Sequence, residues 1–353
     1  MDLTHLRNKI DDIDSEIVRL LNDRARVSLE VGQAKLKSNK SIYAPDRERQ
    51  VLDRIKARNK GPMPHSAFEA VYREVMSASI SLEKSLGIAY LGAEGSNSHA
   101  AAVHKFGSQV NYRGQASIAD VFRAVENGEC DYGIVPIENS VEGSVTPTAD
   151  RLTESDLQIC AQVTIKVSHN LLANGPLKDI KKVYSNPQVL AQCRNWLLAN
   201  LPPERVKQIS VAATTDAALA AAGEKNAAAL ASLECARIYG LKVVQANIQD
   251  VAHNATRFYI IGHESARPTG RDRTSIVFSI KDSAGVLYRM LEPFARNTIN
   301  LTRIESRPIK KKAWDYYFFV DLEGHQQDLK VKKALARLEA MCKFLKVLGS
   351  YPA

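Results

Sequence analysis

The chain has 353 residues, of which 45% are hydrophobic and 25% charged. This is the composition of an ordinary globular protein, and the length suits two or three domains. No apolar run is long enough to span a bilayer, and the N-terminus lacks the charged-then-apolar layout of a signal peptide, so we expect a cytoplasmic protein with no membrane partner.

The net charge of +9 is compatible with nucleic-acid binding, but no segment resembles a DNA-reading module. Much of the excess lies in the last third of the chain, including lysine-rich runs at 310–312 and 330–333. Such runs usually form a solvated face, and anionic small substrates account for a basic protein equally well. We therefore predict no nucleic-acid partner.

The cysteines are scattered, odd in number and without Cys-x-x-Cys spacing. This pattern indicates reduced, mostly buried thiols rather than disulfides or a zinc site. They are Cys130, Cys160, Cys193, Cys235 and Cys342.

Apolar residues from Leu3 to Ala34 recur at steps of three and four, which predicts one long helix with a narrow, coiled-coil-like seam. Arg24 interrupts this seam, where a cation is unfavourable unless an anion meets it. Lys35 follows eleven residues later and, at ~100° per residue, lies on nearly the same face about 16 Å along the axis. The two cations can therefore converge on a dianion. Arg7 lies roughly 100° around the cylinder, so it would have to serve such a site from a second protomer.

Two more helices follow in this helical third of the chain. One opens at Pro45, a residue suited to a first helical turn, and the next runs from about Ser66. On the inward face of the latter helix, Ser79 and Glu83 are four residues apart and therefore neighbours. Taken alone, Glu83 is equally well explained as a solvated helix carboxylate.

The segment from residue 3 to about residue 86 resembles the all-helical chorismate mutase family. The resemblance implies an all-α domain of the long-helix, intertwined-dimer type that rearranges chorismate to prephenate in one pericyclic step. Such an enzyme has to hold two carboxylates in the reactive conformer, a task that Arg suits, while Lys35 and Glu83 would flank the ether oxygen. The implied chorismate-binding residues are Arg7, Arg24, Lys35, Arg47, Glu48, Ser79 and Glu83.

Glu83 stands where this family more commonly has Gln. A glutamate donates a hydrogen bond only when it is protonated. We therefore expect mutase activity to favour acid pH.

From residue 88 the pattern changes to short buried strands, each followed by a loop and a helix. The strand at 88–91 runs into a Gly-rich loop, which alone is a weak anion-binding signal. The strand at 132–137 runs into a polar loop that carries Asn139 and Ser140 and leads to a helix near Thr146. Loops at strand ends are where α/β folds present chemistry.

Two further stretches carry polar groups beside predicted strands. One strand–turn–helix unit holds Ser185 and Gln192. Thr256 and Arg257 lie in the sequence Asn-Ala-Thr-Arg-Phe, just ahead of an apolar strand at 259–261. We expect this pair at the mouth of that strand.

These stretches resemble prephenate dehydratase across roughly residues 88–263. The resemblance implies two α/β lobes, similar to a type II periplasmic-binding-protein fold, with the active site in the cleft between them. Prephenate loses carbon dioxide and water there, so Arg257 suits the pyruvyl carboxylate and Thr256 suits a hydrogen bond to the departing hydroxyl. The source of the proton stays open. The implied catalytic residues are Asn139, Ser140, Ser185, Gln192, Thr256 and Arg257.

After a polar linker at 264–273, residues 274–353 show the order strand, helix, strand, strand, helix, strand, which is the split ferredoxin-like arrangement. Two short motifs in this part resemble the ACT regulatory domain. The resemblance implies an interface pocket for phenylalanine; a docked domain that binds no ligand is the alternative. The implied phenylalanine-binding residues are Gly285, Val286, Leu287, Glu305, Ser306, Arg307 and Pro308.

The three resemblances follow the order of the bifunctional chorismate mutase/prephenate dehydratase family, with domains at 1–87, 88–263 and 274–353. They imply chorismate and prephenate as substrates, phenylalanine as effector and a homo-oligomer, with a dimer the simplest case. The eight histidines form no ligand-spaced set and the chemistry needs no cofactor, so we predict neither a metal nor an organic cofactor. The two alternatives are a non-catalytic two-lobed binding protein and an amino-acid-responsive regulator that binds nucleic acid.

Overall fold

The computed structural model describes residues 2–38, 41–280, 283–309 and 316–353, so the lysine run at 310–312 lies outside the described residues. The chain divides into two compact units. The first contains Met1–Gly87 and Lys105–Asn111, and the second contains Ile88–His104 and Tyr112–Ala353. Within these described ranges, no helix is long and apolar enough to cross a membrane.

The first unit is helical, as the sequence predicts. Helix α1 (Leu3–Lys37) begins where Asp2 caps it by accepting a hydrogen bond from a first-turn amide. Helix α2 (Pro45–Arg58) starts with proline in its first turn, and α3 (His65–Glu83) packs on α1. Gly32 is buried where α1 meets α3. A Cβ at this position would lie only 2.9 Å from the side chain of Glu83, which is too close. Glycine therefore allows the two helices to approach closely beside the last turn of α1.

The apolar seam of α1 is exposed in the single chain. Leu3, Ile13 and Val27 keep 60%, 59% and 58% of their surface accessible. A helix of 35 residues thus presents a long apolar stripe that its own chain leaves uncovered.

The α/β region follows in the second unit, and its strands and helices alternate as the sequence predicts. In chain order its elements are β1 (Gly87–Leu91), α4 (Asn97–Phe106), β2 (Asn111–Gln115), α5 (Ile118–Glu126), β3 (Tyr132–Asn139), β4 (Gly143–Ser144), α6 (Thr146–Glu154), β5 (Gln158–Lys166), β6 (Asn170–Ala173), β7 (Lys182–Ser185), α7 (Pro187–Gln192), α8 (Arg194–Asn200), β8 (Lys207–Ser210), α9 (Thr214–Gly223), β9 (Ala227–Ala231), α10 (Leu233–Tyr239), β10 (Lys242–Gln245) and β11 (Ala255–Gly262).

These strands form two mixed sheets. Sheet A has the order β2-β1-β3-β11-β5 with β4 paired to β3, and sheet B has the order β10-β6-β9-β7-β8. Strand β11 runs antiparallel to both of its neighbours, β3 and β5. Because β11 returns to sheet A after the chain has built sheet B, the polar residues just before and within β11 are brought beside those at the end of β3.

The position of Thr256 and Arg257 differs from the prediction. They lie inside β11 rather than ahead of it, because the ladder continues to Ala255 through pairing with both neighbouring strands. Consecutive residues of a strand point to opposite faces of its sheet. The side chains of Thr256 and Arg257 therefore lie on opposite faces of sheet A and contact different residues.

The ferredoxin-like arrangement predicted for the last part is confirmed. Sheet C has the order β13-β14-β12-β15, and both of its helices pack on one face. The last strand runs further than predicted because its pairing with β12 continues to Pro352. Gly349 also allows its backbone to approach that of β5, where a Cβ would lie 2.2 Å from the Ile159 carbonyl oxygen. The elements are β12 (Asp272–Ser279), α11 (Val286–Arg296), β13 (Leu301–Pro308), β14 (Tyr316–Glu323), α12 (Leu329–Glu339) and β15 (Phe344–Pro352).

The other face of sheet C shares a hydrophobic core with sheet A. Phe319 and Leu348 of sheet C belong to the same buried cluster as Ile159 and Ile261 of sheet A. The dehydratase-like and ACT-like parts are therefore joined by a continuous core as well as by the chain between them.

Candidate active sites

In the first unit, the structure brings together four of the predicted chorismate-binding residues. Arg24 donates a hydrogen bond to the Ser79 hydroxyl. Lys35 Nζ lies 2.9 Å from Glu83 Oε2 and 2.7 Å from the Ile42 carbonyl oxygen. The Glu83 side chain is 7% exposed, so this ion pair joins the last turn of α1 to the last turn of α3 in a largely buried setting.

A fifth predicted residue, Glu48, is held by two side chains that the sequence did not indicate. Its carboxylate accepts hydrogen bonds from the Tyr43 hydroxyl at 2.9 Å and from Lys105 Nζ at 2.8 Å. Lys105 lies 57 residues from Glu48, so no local pattern could have paired them.

The two remaining predicted residues of the first unit, Arg7 and Arg47, are both exposed. Arg7 lies in the second turn of α1, far along the helix from Lys35. Within one chain, therefore, Arg7 does not reach the Lys35–Glu83 pair.

In the second unit, Thr256 lies at the centre of a group of neutral hydrogen-bonding side chains. Asn139 Nδ2 donates to the Thr256 hydroxyl oxygen and to Asn254 Oδ1, both at 2.8 Å. The Asn139 side-chain oxygen Oδ1 in turn accepts hydrogen bonds from the backbone amides of Val141 and Glu142. Both the nitrogen and the oxygen of the Asn139 side-chain amide are therefore hydrogen-bonded. Because the Thr256 oxygen accepts from Asn139, the Thr256 hydroxyl can donate its own proton to another group.

Gln192 extends this group through its side-chain amide. Its nitrogen donates to Glu142 Oε1 at 2.7 Å, and its oxygen accepts from Asn254 at 3.2 Å. His169 Nε2 lies 2.7 Å from the same oxygen, so it must carry the proton and donate. Burial lowers the pKa of His169 and its bond to Gln192 partly opposes that shift. Sequence patterns did not indicate a role for His169, because its partners are distant in the chain.

The two predicted serines differ in their placement. Ser140 ties the end of β3 to the start of β11, since its hydroxyl donates to the His253 carbonyl at 3.1 Å and accepts from the Ala255 amide at 2.9 Å. Ser185 is fully buried and donates to the Leu230 carbonyl at 2.9 Å within sheet B. Ser140 therefore supports the Thr256 group directly, whereas Ser185 supports sheet B.

Arg257 lies on the other face of β11 and is paired with two carboxylates. It donates to Glu138 of β3 and lies 3.4 Å from Asp321 of β14. Burial opposes its charge, but Tyr259, Asp321 and Glu138 outweigh burial, so the pKa of Arg257 is raised. The guanidinium is 16% exposed and is held at the contact between sheets A and C.

The ACT-like motif around Glu305 divides between two faces of β13. Glu305 accepts from the Ser144 hydroxyl at 2.6 Å, and Arg307 donates to the Thr146 carbonyl at 2.9 Å. Ser306 and Pro308, at the alternate positions, are exposed. At the other motif, Gly285 has a φ of 71° and precedes α11, whose first residues are Val286 and the exposed Leu287.

Four of the five cysteines are buried, and burial raises the pKa of the Cys193 thiol to about 12. Across the described ranges, no three His, Cys, Asp or Glu side chains are grouped so as to hold a metal ion.

The helical unit and the α/β and ferredoxin-like parts each match a protein-family model. Residues 6–84 match chorismate mutase type II, residues 88–266 match prephenate dehydratase, and residues 274–340 match the ACT domain. The fold and these three matches thus define a multidomain enzyme that combines a helical mutase with an ACT-bearing dehydratase.

Similar proteins with the same domain order cover almost the whole chain. The bifunctional chorismate mutase/prephenate dehydratase of Aquifex aeolicus is 46% identical over 99% of this chain and 98% of its own length, and that of Neisseria gonorrhoeae is 41% identical over 98% and 96%. A prephenate dehydratase from Arthrobacter aurescens, solved in complex with L-Phe, is 32% identical with a TM-score of 0.70, covering 76% of this chain and 90% of its own. The chain belongs to the bifunctional chorismate mutase/prephenate dehydratase family.

Proposed function

We propose that Arg24, Lys35, Glu48, Ser79 and Glu83 form the chorismate mutase site. The observation that carries this is the meeting of Lys35 with Glu83 beside the Arg24–Ser79 pair. A pericyclic rearrangement needs no nucleophile, so the site has to fix two carboxylates and stabilise charge on the ether oxygen. Arg24 suits a carboxylate, and Lys35 with Glu83 suits the ether oxygen.

We propose that a second copy of the chain completes the mutase site and that the protein is a homodimer. The uncovered apolar stripe of α1 supports this, since a contiguous exposed apolar surface indicates an interface. A two-fold partner contributes the same surface and the same residues in return. Arg7, which does not reach Lys35 in its own chain, then serves the partner's site.

Replacing Glu83 by glutamine should flatten the pH dependence of mutase activity. The wild-type carboxyl donates a hydrogen bond only when protonated, so its activity should rise toward acid pH, whereas the amide donates at every pH. The measurement is kcat/KM for chorismate between about pH 5 and pH 8. Glu69→Gln is the matched control, because Glu69 lies on the same helix but pairs with Lys56 at 2.5 Å. A wild-type profile that is flat through neutral pH would contradict the proposed role of Glu83.

For the dehydratase, we propose that Thr256 donates its hydroxyl proton in a hydrogen bond to the departing hydroxyl of prephenate. The bond from Asn139 to the Thr256 oxygen supports this, because it orients the threonine as a donor. A threonine alcohol is too weak an acid to deliver the proton outright. Asn254, Gln192 and Ser140 hold this arrangement, and their neutral side chains do not stabilise the carboxylate that has to leave as carbon dioxide.

The prediction that Arg257 binds the pyruvyl carboxylate meets a physical obstacle. Substrate would have to displace Glu138 or Asp321 from the guanidinium, and Arg257 lies on the face of β11 opposite Thr256. We therefore propose that Arg257 positions the strand that carries Thr256. We propose that backbone amides and neutral side-chain donors around Thr256 bind the pyruvyl carboxylate.

We propose that phenylalanine binds the ACT domain and inhibits the dehydratase. The Arthrobacter dehydratase in complex with L-Phe supports the ligand. The contacts of Glu305 and Arg307 with Ser144 and Thr146 support the effect, because those two residues follow the segment that holds Asn139. If ligand binding moves β13, these contacts would move the segment after Asn139 and so change the hydrogen bond from Asn139 to Thr256.

A coupled assay tests the whole function. With chorismate as the feed, prephenate and then phenylpyruvate should form, and phenylalanine should lower the second rate about fivefold or more, a usual size for coupling between two sites. Leucine is the control ligand, since it is apolar but lacks the ring. No turnover of either substrate would reject the assignment of the sites, whereas turnover that phenylalanine leaves unchanged would reject only the regulation.

A further inference from the structure

Asp321 is a buried carboxylate of the ACT sheet that points at the catalytic strand of the dehydratase. It lies on β14 and is 2% exposed. Its side chain is 3.4 Å from the Arg257 guanidinium and accepts hydrogen bonds from the Tyr259 hydroxyl at 3.1 and 3.0 Å. Ser275 of β12 adds a further hydrogen bond at 2.6 Å. A buried carboxylate with these partners is fully engaged, and two of them belong to β11.

The two partners on β11 are alternate residues of one strand face. Tyr259 is fully buried, and burial, reinforced by Asp321, raises the pKa of its hydroxyl to about 12. It is therefore protonated and donates to Asp321 at physiological pH. Arg257 and Tyr259 are thus both held by one carboxylate, which fixes that segment of β11 from the face opposite Thr256.

The ladder between β11 and β3 is irregular at this point. Its register shifts between Arg257 and Phe258 because β3 has one extra residue there, Ile137, whereas β11 stays in register with β5 at these two residues. Such bulges re-aim side chains beside active sites, and they disrupt the ladder locally, so their geometry depends on other contacts. On this face, Arg257 contacts Glu138 and Asp321.

We propose that Asp321, although it belongs to the ACT domain, is a positioning residue for the dehydratase reaction. By holding Arg257 and Tyr259 it sets the conformation of β11 in which the Thr256 hydroxyl meets prephenate. This inference rests on the proposed role of Thr256. It also assigns the ACT domain a part in catalysis when no effector is bound.

The test is Asp321→Asn in the full chain, assayed with prephenate. The amide keeps the size of the carboxylate but removes its charge and presents NH₂ to the guanidinium, so the hold on Arg257 is lost. We expect kcat to fall about tenfold or more with KM changed far less, because misplacement of a reacting group by about 1 Å is enough for such a loss. The mutase rate of the same protein, measured with chorismate, should stay at the wild-type value.

Asp328→Asn is the matched control for general loss of stability. Asp328 is another ACT aspartate, which accepts from the His325 amide at 2.8 Å and does not contact β11. Its variant should lower the unfolding midpoint without lowering kcat. Asp321→Glu, which keeps the charge, should restore part of kcat.

If Asp321→Asn yields too little folded protein, Tyr259→Phe carries the test, since it removes one hydrogen bond to Asp321 without changing any charge. It should lower kcat by a smaller factor. An unchanged kcat in either variant, or an equal fall in Asp328→Asn, would overturn the proposal. If instead Thr256→Ser and Thr256→Val prove as active as wild type, the proposed role of Thr256 fails first, and the two failures are distinguishable.

Discussion

Thr256→Val should abolish phenylpyruvate formation while the same protein converts chorismate to prephenate at the wild-type rate. Valine keeps the shape of threonine in this buried position, where Thr256 is 8% exposed, but has no hydroxyl to donate. Loss of one donor to the charge that develops in a transition state typically lowers kcat by about 10²–10³-fold. The measurement is phenylpyruvate production from added prephenate, with chorismate consumption followed separately.

Thr256→Ser is the matched control, because serine keeps the hydroxyl that Asn139 orients and loses only a methyl group. It should retain most of the activity. Near-normal dehydratase turnover in Thr256→Val would remove Thr256 from the mechanism, and a mutase rate that falls in parallel would indicate misfolding instead.

Lys35→Met should lower the mutase rate about 10²–10³-fold, the cost of removing a cation from a preorganised site, and leave dehydratase turnover of prephenate unchanged. Methionine keeps much of the apolar stem of lysine but cannot meet Glu83, whose carboxylate lies 2.9 Å from Lys35 Nζ. Lys56→Met removes the same charge from the pair with Glu69 and should leave both rates unchanged. A mutase that tolerates Lys35→Met would refute the proposed site.

The same variant tests whether Arg7 acts across a dimer. Chains carrying Lys35→Met and chains carrying Arg7→Ala should each have little mutase activity. When the two chains are co-expressed, about half of the dimers are mixed. In a mixed dimer one site carries both substitutions and the other carries neither, so about a quarter of the wild-type activity should return. Recovery would not occur if Arg7 served its own chain.

Much of the fold follows from periodic patterns in the sequence. The steps of three and four from Leu3 onward predict α1 (Leu3–Lys37) almost to its ends, because an apolar seam is a long-range repeat. The alanine run of β9 (Ala227–Ala231) carries no such signal, since alanine favours helix in isolation. In the folded protein it is a strand of sheet B, where its small side chains pack against the alanines of α9. Tertiary packing, not local propensity, therefore determines its conformation.

The sequence predicts only part of each candidate site. Motifs indicate which side chains carry chemistry, such as Asn139, Thr256 and Lys35, but not which face of a strand each one occupies. The placement of Thr256 and Arg257 on opposite faces follows from the extension of β11 to Ala255, which depends on pairing with β3 and β5. Partners that lie far away in the chain, such as Lys105 and Asp321, are found only once the chain is folded.

The hydrophobic core that sheets A and C share has a consequence for how this chain loses its structure. Tyr259, Ile261, Phe319 and Leu348 exclude water from one another across the two sheets, so neither part can open without exposing apolar surface of the other. We therefore expect the dehydratase and ACT portions to unfold as one cooperative unit. Deleting the ACT portion to relieve the proposed feedback inhibition would expose the apolar face of sheet A around Tyr259. Substitution on β13 is therefore the sounder way to test that regulation or to remove it.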